Sequence, residues 1–112
     1  MEISHDQVGP DIVVVKLAGR VMMGSESEQI TNLVSNRLKR SNRVIIFDLS
    51  SVTAIDSTGI GRFISSYHLI AGAKGQMRIA AAPDLLRRVF HVLRLDTVFR
   101  FYATVEDACK EE

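Results

Sequence analysis

The segment Val44–Gly61, VIIFDLSSVTAIDSTGIG, decides the fold class of this 112-residue chain. Arg43–Leu49 is the most hydrophobic short segment of the sequence and predicts a buried strand. The hydroxyl-rich stretch after it predicts a loop, and an amphipathic helical pattern begins at about Ser57. A buried strand that leads through a short loop into an amphipathic helix is typical of an α/β domain.

Two strands and a helix are predicted before this segment. Ile12–Ala18 is a β-branched run that predicts a central strand, and Glu2–Gln7 predicts a weaker edge strand paired to it across a glycine-proline turn. Ser25 begins a helix, with Glu28 at the spacing of a capping box. The apolar face of this helix consists of Ile30, Leu33, Val34 and Leu38.

Strands and helices also alternate after the segment. Met77–Ala81 predicts a short strand, Thr97–Tyr102 a last strand, and Val105–Lys110 a short closing helix. A third helix is expected to begin near Pro83, which suits a first helical turn. The predicted inner faces are Ile60, Phe63, Ile64, Tyr67 and Ile70 in the second helix, and Leu85, Leu86, Val89, Phe90 and Leu93 in the third.

This order of elements predicts one α/β domain over residues 1–112. We expect a mixed, mostly parallel sheet of four to five strands, with helices packed mainly on one face. The length suits a single domain, and 46% hydrophobic with 24% charged residues is ordinary for a globular protein. The purified protein is expected to be a monomer or a weak dimer.

Charge and cysteine content exclude several classes of function. Fourteen basic and thirteen acidic residues leave a net charge of +1, which argues against nucleic-acid binding. Cys109 is the only cysteine, so no internal disulfide is possible and a reducing compartment is expected. The sequence shows neither a secretory signal pattern nor an apolar stretch of about 20 residues, so we expect a cytoplasmic protein that does not insert into membranes.

The start of the second helix combines an acid, two hydroxyls and two glycines. Asp56 can cap the helix, and the free backbone N–H groups there tolerate an added phosphate. Gly59 and Gly61 weaken the helix by about 1 kcal/mol each relative to alanine. Two explanations remain open, namely close approach of a partner backbone and packing of the glycines against a neighbouring strand.

Catalytic and metal-binding motifs are absent from the sequence. Position 64 is isoleucine, so Gly59-Ile60-Gly61 fails the dinucleotide fingerprint, and no Walker-type phosphate loop occurs. The three histidines lie far apart without metal-ligand spacing, and no histidine or lysine stands near Ser57 in sequence to act as a base. We therefore expect neither an enzyme nor a bound cofactor or metal.

Val44–Gly61 resembles the characteristic motif of STAS domains, in particular that of the bacterial anti-sigma factor antagonists. The resemblance extends over nearly the whole chain. Val13–Arg20 is similar to the family's second strand and turn, and Gly75–Ala82, Val89–Leu95 and Val105–Ala108 are similar to its later strand and helices. The Asp-Ser-Thr-Gly-Ile-Gly run is the most specific part of the match.

The resemblance implies a switch protein in transcription regulation. Antagonists of this family sequester an anti-sigma factor, often a serine kinase, and so release a sigma factor; the kinase phosphorylates the hydroxyl after the acid and a phosphatase restores it. On this chain the resemblance implies Ser57 as the phosphorylated residue, with Thr58 as the fallback, and Asp56 as the residue that orients the site. The implied partner-binding residues are Asp56, Ser57, Thr58, Gly59, Ile60 and Gly61.

The sequence departs from the family pattern after Arg20-Val21, where an acid is common. Met22 and Met23 occupy these positions, and Glu26 or Glu28 is a candidate to replace the acid. The two methionines are either an adaptable apolar contact for the partner or, for at least one of them, part of the core. An alternative function within the same fold is a constitutive scaffold subunit of a stress-signalling assembly or of a lipid transporter.

Overall fold

The computed structural model describes residues 1–110, which form one five-stranded sheet in the order β1-β2-β3-β4-β5. The strands β1 and β2 are antiparallel, and the three other neighbouring pairs are parallel. The predicted mixed, mostly parallel sheet is therefore confirmed. The strands are β1 (Glu2–Gln7), β2 (Ile12–Val21), β3 (Val44–Ile55), β4 (Gln76–Ala80) and β5 (Arg100–Tyr102).

Three of the four helices within residues 1–110 contribute to the main core on one face of the sheet. Alternate residues of β2, β3 and β4 point to this face and pack against buried apolar residues of the helices. The Phe63 ring lies at the centre, 5.3 Å from the Phe47 ring and 5.9 Å from the Phe90 ring. The helices are α1 (Ser25–Lys39), α2 (Ser57–Gly72), α3 (Asp84–Val92) and α4 (Val105–Lys110), and one turn of 3-10 helix (Leu95–Thr97) follows α3.

The opposite face of the sheet carries a smaller core that is covered by α4. Its buried members are Val14, Ile46 and Ala80 from the sheet and Ala108 from α4. The helices thus lie mainly on one face, as predicted. Within residues 1–110, no helix is long and apolar enough to cross a membrane.

The strand β3 is longer than the sequence pattern predicts. It continues to Ile55 through the hydroxyl-rich stretch that was expected to be a loop. The reason is the length of β2, whose end pairs with this stretch from Ala18 opposite Ser51 to Val21 opposite Ile55. Register shifts in this region of the pair mark local irregularities.

The predicted capping box at the start of α1 is wrong. Gly24 occupies the N-cap, and no side chain caps the helix. The φ of Gly24 is 136°, a value that favours glycine. Glu28 points to α2 instead, where its carboxylate lies 3.9 Å from a guanidinium nitrogen of Arg62.

Three residues predicted to be in the core are exposed. Ile64 of α2 is 36% exposed, Leu85 of α3 is 63% exposed, and Leu93, the C-cap residue after α3, is 50% exposed. On α3 only Leu86 and Phe90 are fully buried. The physical reason is that the helix meets the core along one narrow stripe, which leaves the rest of its apolar surface without a neighbour.

Candidate functional site

Asp56 connects the start of α2 to the loop that follows β2. One carboxylate oxygen accepts a hydrogen bond from the Gly59 N–H at 2.8 Å, which confirms the predicted N-cap. The other oxygen accepts from the Met23 N–H at 2.9 Å. The Asp56 N–H donates to the Val21 carbonyl at 3.3 Å. Asp56 therefore holds three parts of the chain together.

Hydrogen bonding keeps Asp56 ionised. The Gly59 N–H and then the Met23 N–H stabilise the charged form, and these bonds lower the pKa of the Asp56 carboxyl below its usual range. Both carboxylate oxygens of Asp56 therefore hold backbone N–H groups, one at the start of α2 and one in the loop after β2.

The two glycines of the motif have different surroundings. Gly59 is buried, and a Cβ built on it would overlap the Val21 carbonyl oxygen and lie 2.9 Å from a side-chain carbon of Ile55. Gly59 therefore packs against the chain's own β2, which supports the second of the two explanations given above for this residue. A Cβ on Gly61 would meet no atom within 4 Å, so the space beside this residue is open.

The hydroxyls and Ile60 lie at the surface to different degrees. Ser57 is the first residue of α2 and is exposed, whereas Thr58 is half-buried. Ile60 and Gly61 are also half-buried. Of the two candidate phosphate acceptors, Ser57 is the more accessible.

The loop after β2 presents one methionine to solvent. Met23 is 78% exposed, whereas Met22 is half-buried and its sulfur accepts a hydrogen bond from the Arg20 side chain at 3.2 Å. A shallow depression of about 390 Å³ is lined by both methionines and by Met1. Neither methionine belongs to the buried core.

Glu26 and Glu28, the two candidates to replace the acid that is common after Arg20-Val21 in the family, each have a positively charged partner. Glu26 accepts a hydrogen bond from the N-terminal amino group of Met1 at 2.8 Å, and this contact lowers the pKa of the Glu26 carboxyl. Glu28 faces Arg62. Asp56 supplies a carboxylate that is hydrogen-bonded to this loop, through the Met23 N–H.

Comparison with known proteins assigns the family. The family model of the STAS domain matches residues 5–108, which is most of the chain. The chain belongs to the STAS domain family.

Solved structures of similar fold include anti-sigma factor antagonists and a protein of the sulfate transporter family. A putative anti-sigma factor antagonist from Thermotoga maritima is 19% identical, with 96% of this chain and 92% of that chain covered and a TM-score of 0.85. The phosphorylated form of the Bacillus cell fate determinant SpoIIAA is 22% identical, with 96% of both chains covered and a TM-score of 0.78. A sulfate transporter family protein from Wolinella succinogenes is 13% identical, with 92% and 85% covered and a TM-score of 0.80.

The structure of this STAS domain adds one contact that sequence reasoning missed. Met23 and Asp56 lie 33 positions apart in the sequence. The hydrogen bond uses the Met23 backbone N–H, so the identity of the residue at position 23 does not predict it. The bond arises because the parallel strands β2 and β3 end at the same edge of the sheet. Residues 22–24 and 56–61 are thereby brought together.

Proposed function

We propose that this STAS domain is a phosphorylation-controlled binding protein that sequesters an anti-sigma factor of the serine kinase type and so releases a sigma factor. Ser57 is the phosphorylated residue, with Thr58 as the fallback, and a phosphatase restores the binding form. The protein acts in the cytoplasm, over residues 1–112, by binding and without catalysis. It works as a monomer or weak dimer.

The main support is the exposed Ser57 beside Asp56, which bridges to the Met23 loop. Among the structures of similar fold is SpoIIAA, an anti-sigma factor antagonist known in unphosphorylated and phosphorylated forms. The exposed hydroxyl and the position at a helix N-terminus suit a phosphate, because the helix dipole favours an anion there. The proposed contact surface is Met22, Met23, Asp56, Ser57, Thr58, Ile60 and Gly61.

Phosphorylation acts on this surface through charge and through the loop. A phosphoserine adds about −1.5 to −2 charges at pH 7. Asp56 is ionised next to it, and its lowered pKa keeps it ionised, so the two groups repel each other. Displacement of the Asp56 carboxylate weakens its bond to the Met23 N–H and moves the exposed Met23 side chain. Like charges and a hydrated phosphate at a docking surface cost several kcal/mol, so affinity falls roughly a hundredfold.

The test compares charge variants of Ser57 in binding. The partner is isolated from the source cell with Ser57→Ala as bait, and titration calorimetry then measures its affinity for each purified variant. We expect Ser57→Ala to bind tightly and Ser57→Asp to bind at least tenfold more weakly. Ser65→Asp is the matched control, because Ser65 is also exposed and lies about two turns further along α2.

A second function is favoured by the structure from the sulfate transporter family. A constitutive scaffold subunit, in a stress-signalling assembly or a lipid transporter, needs the same fold without a phosphorylation switch. Equal affinity of the Ala and Asp variants, with no phosphate on Ser57 or Thr58 by mass spectrometry, supports this scaffold function against the switch.

A further inference from the structure

Four large apolar side chains are exposed between residues 85 and 98. Leu85 is 63% exposed, Val92 77%, Leu93 50% and Val98 41%. Leu85 and Val92 are seven residues apart on α3, which places them two turns apart on the same side of the helix. A depression of about 280 Å³ lies beside Val92 and Leu93 and is lined by Arg88 and Val89 as well. Exposed apolar groups concentrated in one segment are typical of an interaction surface.

Arginines border these apolar residues and are not neutralised. Within residues 1–110, Arg87, Arg88 and Arg94 have neither an ion pair nor a side-chain hydrogen bond. One carboxylate oxygen of Asp96 accepts from the His91 ring at 2.7 Å. Asp84 and Asp96 line one depression together with Arg87 and Arg88, but neither acid forms an ion pair with these arginines. The surface is therefore apolar and is bordered by arginines that form no ion pair.

We propose that this surface binds an acidic amphipathic segment of a protein partner. The docking surface consists of Leu85, Arg88, Val92, Leu93, Arg94 and Val98. Apolar side chains of the partner would contact the leucines and valines, and its Asp or Glu residues would pair with Arg88 and Arg94. None of these residues belongs to the Ser57 surface, so this binding does not depend on the phosphorylation switch.

The charges of the docking surface argue against two other binding partners, a second copy of the chain and an anionic membrane. A second copy of the chain in a two-fold interface would bring the same arginines of both copies to one interface, where like charges repel. An anionic membrane attracts clusters of about four to eight basic residues. Residues 84–98 carry three arginines against two aspartates, a surplus of one positive charge. An acidic peptide needs only local pairing with individual arginines, which the structure offers.

The test is a selection of random 12-residue peptides displayed on phage, using the full chain as the target. The Leu85→Glu/Val92→Glu variant serves for counter-selection, so that retained peptides recognise the docking surface. We expect enriched peptides with apolar residues at helical spacing next to Asp or Glu. Fluorescence anisotropy with an enriched peptide should show at least tenfold weaker binding to this variant and to Arg88→Glu/Arg94→Glu.

A matched control separates this surface from exposed apolar residues in general. Val8 is 49% exposed in the turn between β1 and β2, and Val8→Glu should bind the peptide like the unchanged protein. All substituted side chains are exposed, so far-UV circular dichroism and urea midpoints should stay unchanged. A variant that loses its structure is replaced by Leu85→Ser/Val92→Ser, with the same expected loss of binding.

Three results would overturn the proposal. The first is no enrichment, or enrichment of peptides without acidic residues. The second is co-sedimentation with phosphatidylserine vesicles that Leu85→Glu/Val92→Glu abolishes, which would assign the surface to a membrane. The third is a dimer in analytical ultracentrifugation that the same variant dissociates, which would assign it to a second copy.

Discussion

Replacing Gly59 by alanine tests how closely α2 packs on the end of β2. The new Cβ would overlap the Val21 carbonyl oxygen, far inside an ordinary contact distance, so the two elements must move apart. The obstacle is backbone, which cannot rotate away as a side chain can. The separation also strains the hydrogen bond from the Asp56 N–H to the Val21 carbonyl.

The expected change in the free energy of unfolding is the difference between a steric cost and a gain in helix propensity. Overpacking against backbone lies at the upper end of the usual range, about 3 kcal/mol. Alanine regains about 1 kcal/mol of helix propensity over glycine. The free energy of unfolding should therefore fall by about 2 kcal/mol, a change of roughly thirtyfold in the folding equilibrium constant. For a domain of this size the melting temperature should fall by about 8 °C.

Urea unfolding followed by circular dichroism measures this difference. Gly61→Ala is the matched control, because a Cβ there meets nothing within 4 Å and the helix gains about 1 kcal/mol. The two substitutions are chemically identical and lie two residues apart, yet they should change stability in opposite directions. If Gly59→Ala proves as stable as Gly61→Ala, the close contact between α2 and β2 is not a feature of the folded protein.

Two further predictions concern charged groups. Because hydrogen bonds from Gly59 and Met23 lower the Asp56 pKa, this carboxylate should stabilise the fold fully above its ordinary pKa of 3.8, and the contribution should be lost as pH falls through the lowered value. Urea midpoints from pH 7 to pH 2 should show a smaller acid loss for Asp56→Asn, and equal losses would contradict the assignment. The second prediction concerns Arg78, which is 1% exposed. Its guanidinium donates to the Ala108 carbonyl at 2.7 Å and lies over the Tyr102 ring. It has no carboxylate partner in residues 1–110. Arg78→Met should change the free energy of unfolding by less than about 1 kcal/mol, since a buried charge is replaced by apolar volume. Arg78→Ala should lower the same quantity by about 2–4 kcal/mol, because it leaves a cavity; equal losses in both variants would show that the charge, not the volume, stabilises α4.

The parts of the fold that local sequence determines were predicted well. A β-branched run predicted β2 and the most hydrophobic short segment predicted the first half of β3, and such continuous runs are typical of buried strands in a parallel sheet. Asp56 was predicted as the cap of α2 because a cap depends on residues within one turn of each other. The family resemblance rested on this same local segment, and the family match over residues 5–108 confirmed it.

The exposure of Leu85 and Leu93 was decided by tertiary structure. Their spacing on α3 suits a core face, but burial requires a neighbour, and only Leu86 and Phe90 are fully covered. The extension of β3 to Ile55 has the same kind of cause, since it depends on the length of the strand beside it. A helical or strand period predicts which residues share a side, whereas the arrangement of other elements decides how much of that side is covered.

The same distinction between local sequence and tertiary structure applies to the candidate site. The sequence by itself determined the residues Asp56–Gly61, because a cap, an adjacent hydroxyl and a helix start are all local. Only the tertiary structure decided that Gly59 contacts the Val21 carbonyl and that Asp56 holds the Met23 N–H. Both contacts join segments more than thirty residues apart, and both use backbone atoms, which every residue type presents alike. The glycine at position 59 allowed a close contact without identifying its partner, and the meeting of β2 and β3 at one edge of the sheet creates both contacts.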